Sequence, residues 1–356
     1  MQSNDLSAYL APFKLLINKN ALSATYRTLE LDGGVIRGCA GFGMLEVYGD
    51  FGLPDGPLYV DATTFIAVVD SLPADKPLVL NAENANVLAW EAGAAKGRLA
   101  LNKIPEMPRI GEMRPANEAW HPTQKFIETL RLGALSCGSE SLASIGMYGV
   151  VIDSTGDVCV YSSDNVTISC AFMSDTTIQA PPIQTYSPEA IKLLAAVLNP
   201  KDKEAAIYFG ADGIYYRDSY MRLALKQLAP MKADVNAILN EFSIGDTRAP
   251  LPVDRLQAFI KRINAMTENK KANSITMQAS NGRLTMSFSD GLAASEEYYM
   301  VDELTVPDLP PIQLDATKVG RALAHVDCVV LDHIERKVLV FEGGDPLFQY
   351  IVSGKS

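Results

Sequence analysis

The side chains most able to do chemistry are few in this sequence and stand apart. The histidines are His121, His325 and His333, and none lies near a nucleophile motif. The cysteines Cys39, Cys137, Cys159, Cys170 and Cys328 are scattered. No Cys-x-x-Cys or His-x-x-x-His pair occurs, so a tetrahedral zinc site lacks the spacing it needs. The phosphate-cradling patterns GxxxxGK[ST] and GxGxxG are absent as well. Gly38-Cys39-Ala40-Gly41-Phe42-Gly43 is glycine-rich but sits inside an alternating strand pattern, which reads as a bulge or turn. Asp61, Asp254 and Asp315 each open a helix-like segment, and helix capping accounts for them without catalysis. Asn165-Val166-Thr167 matches a glycosylation sequon, but no secretory signal accompanies it. The expectation is a protein without catalytic residues, cofactor or metal.

Composition bounds the class. The chain has 356 residues, 31 Lys and Arg against 42 Asp and Glu, and a net charge of −11. A hydrophobic share of 48% with 21% charged residues describes a folded globular chain, not a disordered one. An acidic chain is not a generic polyanion binder, so any contact with nucleic acid must come from local positive charge. No run of about 18 apolar residues is present, which argues against a membrane span. The start, Met-Gln-Ser-Asn-Asp-Leu, lacks a basic region leading into an apolar run, so no signal peptide is expected. An odd, dispersed cysteine set favours a reducing, cytoplasmic setting.

The elements that must position any functional residue recur along the chain. Asp61 opens VDATTFIAVVDSLP, Ser187 opens YSPEAIKLLAAVLNP and Asp315 opens LDATKVGRALAHVD. Each carries a capping residue and apolar positions at helical spacing. Each is followed by a strand, a turn and further strands. Arg98-Leu99-Ala100-Leu101 recurs as Arg222-Leu223-Ala224-Leu225. Hairpins come before these helices, turning at Asp32-Gly33-Gly34, around Thr155-Gly156-Asp157 and at Asn281-Gly282. A helix precedes each hairpin: HPTQKFIETLRLGAL, PVDRLQAFIKRINAM, and a shorter LSAYLAPFKLLI broken by Pro12. The expected fold class is α+β, in three tandem units over 1–115, 116–246 and 247–356. Each unit has two helices packed on two small antiparallel sheets. Linkers rich in Pro and polar residues, Pro105 to Ala119 and Ser243 to Pro252, agree with that division.

This order of elements resembles the bacterial-type DNA sliding clamp, the beta subunit of DNA polymerase III. The stretches that carry the likeness are VDATTFIAVVDSLPADKPLVL with GRLALNKIPEMP, then GVVIDSTGDVCVYSSDN, then the ending from LDATKVGRALAHVD to FQYIVSGKS. The resemblance implies three clamp domains per chain and a ring closed by two chains head to tail. It implies helices lining a hole that holds double-stranded DNA without reading sequence, and a polymerase and clamp loader as partners. Divergence and the broken first helix suggest a distant member, with a bacteriophage as one source.

A sliding ring needs mobile Lys and Arg contacts to phosphate. The residues the resemblance places there are Lys14, Lys19, Lys125, Arg131, Lys192, Arg255, Lys261, Arg262, Lys318 and Arg321. Lys318 and Arg321, three apart, share one side of their helix, away from Val319 and Leu323. The segment Asp61 to Leu72 carries no cation at all. Ordinary solvated helix faces are the alternative. The implied partner-peptide pocket is lined by Met147, Gly149, Ser163, Ile168, Tyr350, Ile351, Val352 and Ser353. There the chain has Ser163-Asp164-Asn165-Val166-Thr167-Ile168 where the family usually has Thr-Asp-Gly-x-Arg-Leu, and the tail lacks the usual Met-Pro-Met. Ile351 and Val352 also suit plain core positions of a last strand. The implied dimer interface sets Leu99 and Leu101 against Ala265 and Met266 of a neighbour, with burial inside one unit as the alternative for the leucines. A non-enzymatic, β-rich phage structural or assembly protein is the competing functional class.

Overall fold

The computed structural model describes residues 2–53, 56–74, 76–104, 106–111, 119–138, 148–154, 157–174, 183–230, 235–242, 248–266, 274–280, 283–289, 294–300, 309–344 and 347–354. Helices α1 (Ser3–Leu10) and α2 (Phe13–Leu16) are separated at Pro12, which has no N–H to continue a helical ladder. Strands β1 (Thr28–Asp32), β2 (Val35–Ala40), β3 (Gly43–Tyr48) and β4 (Leu58–Asp61) lead into α3 (Ala62–Ser71). Asp61 caps α3, accepting from the Thr64 amide at 2.8 Å. Then come β5 (Leu78–Asn84), β6 (Val87–Ala92), β7 (Ala95–Ala100), α4 (Gln124–Gly133), β8 (Val150–Asp153), β9 (Val158–Ser163), β10 (Thr167–Met173) and β11 (Ile183–Tyr186). Ser187 caps α5 (Pro188–Val197), which has Pro at its first position as helix starts prefer. The chain continues through β12 (Ala206–Phe209), β13 (Gly213–Arg217), β14 (Met221–Lys226), α6 (Val235–Phe242), β15 (Arg248–Pro250) and α7 (Val253–Met266). It ends with β16 (Ser274–Ser280), β17 (Arg283–Ser289), β18 (Ala294–Met300), β19 (Leu309–Asp315), α8 (Ala316–Ala322), β20 (Cys328–Val330), β21 (Val338–Gly343) and β22 (Leu347–Ser353).

Asp315 caps α8 through the Thr317 and Lys318 amides, as its position before an apolar-periodic run implied. Asp254 differs from that expectation. It lies within the first turn of α7, where a carboxylate meets the positive end of the helix dipole. The glycine-rich stretch is the tight β2–β3 turn. The Asn281-Gly282 turn lies outside the described residues, although β16 and β17 on either side of it pair in antiparallel register.

These residues form two compact bodies, Met1–Ile127 with Thr176–Leu228 and Glu128–Asp175 with Ala229–Ser356. The middle stretch of the chain therefore contributes to both. In the first body, one antiparallel sheet runs in the order β12-β13-β14-β3-β2-β1-β4, and β5-β6-β7 forms a second. The joint between distant segments is β14 with β3, from Met221↔Val47 to Leu225↔Gly43. Gly43 is required there, because a Cβ would stand 2.6 Å from the Ala224 carbonyl oxygen. In the second body the order is β8-β9-β10-β22-β21-β20-β15, with β18-β17-β16-β19 as a second sheet. Its joint is β10 with β22, from Thr167↔Val352 to Phe172↔Leu347.

Strand alternation divides the second body's core in two. Phe348, Tyr350 and Val352 pack with Leu256, Phe259 and Ile263 of α7 and Val319 of α8. Ile351 faces the other way, with Ile168, Cys170, Tyr161 and Leu239 of α6. Gly320 of α8 faces Ile260 of α7, whose Cγ2 would lie at ordinary contact distance, 3.5 Å, from an added Cβ.

Candidate functional site

The helices of the second body bury one side and leave cations on the other. On α7, Leu256, Phe259, Ile260 and Ile263 are buried, which turns Arg255, Lys261 and Arg262 outward. On α8, Ala316, Val319 and Ala322 are buried, and Lys318 and Arg321 share the opposite side. On α4, whose residues up to Ile127 belong to the first body and the rest to the second, Phe126 and Leu130 are buried while Lys125 and Arg131 are exposed. In the first body, α5 exposes Lys192, α2 exposes Lys14, and Lys19 is exposed in the segment after α2. As its sequence required, α3 offers no cation.

The side chains differ in availability. Lys14 is held by Asp70 at 2.8 Å, and that ammonium, together with the Ser7 hydroxyl, keeps the Asp70 carboxyl below its usual range. Arg262 pairs with Glu297 and stacks on Phe259. Arg131 lies 3.9 Å from Glu128 one turn earlier. Lys318 pairs with Asp164 at 3.1 Å, which ties α8 to the β9–β10 turn. Burial pushes the Asp164 carboxyl up, but hydrogen bonds from the Thr167 amide and hydroxyl and from Lys318 outweigh it, and the net shift is downward. Lys19, Lys192, Lys261 and Arg321 make no ion pair with any described residue. Exposed, flexible cations can follow a phosphate backbone but cannot form a rigid base-reading surface. Among the described residues, no three His, Cys, Asp or Glu side chains gather closely enough to hold a metal ion.

The implied peptide pocket is brought together only in part. Met147 lies outside the described residues. Gly149 is buried with φ 142°, a backbone conformation that favours glycine. Ile168 and Ile351 are in register and share one face of the β10–β22 joint. Tyr350 and Val352 are fully buried on the opposite, helix-packed face, so they cannot line the same groove as Ile351. Ser163 is buried and donates to the Thr167 carbonyl, while Ser353 is exposed. The sequence reading missed α6. Its signal was present in Val235, Ile238, Leu239 and Phe242, spaced at i, i+3, i+4 and i+7. In the structure Leu239, Ile238 and Phe242 cover the face that holds Ile168 and Ile351.

The implied interface residues are placed as follows. Leu99 and Leu101 are half-buried at the end of β7; among the described strands β7 pairs with β6, while Leu101 just beyond it forms a bridge to Val60 of β4. Ala265 and Met266 end α7, and Met266 is 41% exposed. The edge strand β18 carries exposed Glu296, and β7 carries exposed Lys96 and Arg98.

No family model matches the chain, and no curated protein matches it either. Solved structures do. A sliding clamp (DNA polymerase III subunit beta) from Pseudomonas aeruginosa bound to griselimycin aligns at 16% identity and TM-score 0.82, covering 100% of this chain and 98% of that one. The sliding clamp from Bartonella birtlesii, also bound to griselimycin, gives 10% identity and TM-score 0.82 over 100% and 98%. The DNA polymerase III beta chain from Streptococcus pneumoniae gives 16% and 0.79 over the same shares. Within the described residues no helix is long and apolar enough to cross a membrane. With antiparallel sheets, few helices and alignment along its whole length, the chain has the fold of the bacterial DNA polymerase III beta sliding clamp.

Proposed function

We propose that this chain is a DNA polymerase processivity clamp, which encircles duplex DNA without sequence preference and tethers a polymerase. The observation that carries the reading is a fold likeness covering all of this chain and 98% of sliding clamps from several bacteria. A shell or assembly protein would not be expected to reproduce a clamp from end to end. In this reading the chain comprises three clamp domains, 1–115, 116–246 and 247–356, and two copies close a ring. The edges β7 and β18 support such closure, since among the described residues each pairs along its length with one strand and they carry opposite charge. Leu99 and Leu101 would meet Ala265 and Met266 across that joint.

The ten helix and loop cations named above would supply phosphate contacts, weak one by one and steeply salt-dependent together. Lys192, Lys261 and Arg321 are best placed for this, being exposed and making no ion pair with a described residue. Partner peptides would dock on the face of Ile168 and Ile351, with α6 forming a wall. A clamp loader would open the ring, and the work of the protein would be holding, not catalysis.

The test is primer extension on singly primed circular DNA with the cognate polymerase and loader. Product length should rise sharply with the protein and fall when the circle is linearised. Unchanged product length for every cognate polymerase would defeat the replication role.

A further inference from the structure

One face of the large sheet in the first body carries a row of side chains in direct register across neighbouring strands. Tyr59 of β4 opposes Glu30, Glu30 opposes Arg37, Arg37 opposes Glu46, Glu46 opposes Arg222, and Arg222 opposes Arg217. The signs alternate until the last pair. Glu30 is fully buried and is met by Arg37 and by Arg109 at 3.6 Å. Glu46 takes Arg37 at 3.4 Å and the Ile110 amide at 3.2 Å. Arg217 and Arg222 then stand opposite each other with like charge, an arrangement that destabilises an antiparallel pair.

Each guanidinium lies over a tyrosine ring, Arg217 over Tyr208 at 5.7 Å and Arg222 over Tyr48 at 5.2 Å, and neither makes an ion pair with a described residue. Both line a cleft of about 520 Å³ together with exposed Lys203. Its acids, Asp218 and Glu204, offset part of this charge and leave the cleft net positive. Asp218 is engaged by the Tyr216 hydroxyl at 2.8 Å and the Tyr220 amide at 3.0 Å, and Glu204 is exposed and pairs with no cation among the described residues. His121 closes one side, with its ring nitrogens 3.0 and 3.1 Å from the Ala205 and Pro200 carbonyls.

We propose that this cleft is a binding site for a phosphoryl group. A terminal phosphate brings close to two negative charges and three acceptor oxygens, and successive phosphodiesters of a strand bring one charge and two oxygens each, so either can engage both guanidinium forks and the Lys203 ammonium at once. A single carboxylate would leave one of those cations unmatched. The anion would sit where the alternating row lacks its next negative member, turning a repulsive pair into a bridged one. The two sources are a free polyphosphate and the phosphodiester backbone of a nucleic acid strand. The site is separate from the helix cations of the proposed clamp function and stands or falls without them.

The experiment uses the full-length protein, titrated by calorimetry with tripolyphosphate in one arm and a single-stranded oligothymidylate in the other. Arg217→Gln with Arg222→Gln is compared with wild type. Two charge-assisted forks are lost, so affinity for the recognised anion should fall at least tenfold. Arg217→Lys with Arg222→Lys keeps the charge and fold but not the forks, and should weaken binding less. In low-salt, phosphate-free buffer Arg217→Gln alone should stabilise the protein by relieving repulsion. Loss in the tripolyphosphate arm identifies a free polyphosphate, and loss in the oligonucleotide arm alone identifies a strand backbone. Equal binding by wild type and both double variants overturns the proposal. So does no binding in either arm, or capture of a glutamate-rich peptide where neither phosphate binds.

Discussion

Replacing Asp164 by asparagine tests the link between the β9–β10 turn and α8. In the native protein Oδ1 accepts from the Thr167 amide and hydroxyl, both at 2.8 Å, and from the Val166 amide at 3.1 Å. Oδ2 faces Lys318 at 3.1 Å, with the two side chains 12% and 21% exposed. Asparagine can keep the Oδ1 contacts but removes the charge. An exposed pair contributes under about 1 kcal/mol, while removing one member of a fully buried pair costs about 3–5 kcal/mol. Partial burial puts Asp164→Asn near 1–2 kcal/mol, by interpolation between those limits. Asp164→Ala also loses three hydrogen bonds to a charged acceptor, which brings the cost to roughly 3–4 kcal/mol.

A cycle with Lys318→Met isolates the pair. Its coupling should be about 1 kcal/mol at pH 7, read from chemical denaturation of the four proteins. The pH sign follows from Asp164's lowered native value. A carboxyl more acidic in the folded than in the unfolded state stabilises fully above its unfolded value, near 3.9, and the gain is lost as pH falls through the native value. The cost of Asp164→Asn should therefore shrink at strongly acid pH. On the clamp reading, freed Lys318 adds one phosphate contact, and the slope of log affinity against log salt should steepen by about 0.9. A coupling below about 0.3 kcal/mol, or a pH-independent one, would refute the ion pair as a structural tie.

The triple change Lys192→Gln, Lys261→Gln and Arg321→Gln removes three exposed cations and should reduce the salt slope for duplex binding by up to about 2.7, while leaving denaturation midpoints nearly unchanged. Gly43→Ala forces a methyl group to within 2.6 Å of the Ala224 carbonyl and should cost about 2 kcal/mol or more; unaltered hydrogen exchange in β3 and β14 would contradict this. Burial pushes the Cys39 and Cys328 thiols up to about 11, helped at Cys328 by Asp327 and Glu342, and burial also raises Cys170. Alkylation at pH 8 should therefore mark half-buried Cys137 first, and mass spectrometry showing Cys39 or Cys328 ahead of it would count against the assignment.

Capping residues, amphipathic stripes and the break at Pro12 could be read from the chain because each depends on neighbours within a few positions. Asp61, Ser187 and Asp315 cap the helices they precede. The exposed sides of α7 and α8 follow from apolar spacing alone. Local signals also existed for α6, but its place on the sheet face did not follow from them.

Other features depend on register between segments far apart in sequence. The β14–β3 and β10–β22 joints pair residues more than a hundred positions apart, and no local propensity specifies such a partner. Those joints decide that Ile351 faces α6 while Tyr350 and Val352 face α7 and α8. They also set Arg222 beside Glu46 and give Arg217 a cation, Arg222, as its cross-strand partner. Which cations are already paired, such as Lys318 with Asp164, was likewise decided by folding. Periodicity and caps are set by contacts along the backbone and so belong to the sequence. Strand partners and charge neighbours are chosen by long-range packing and only exist once the sheets have formed.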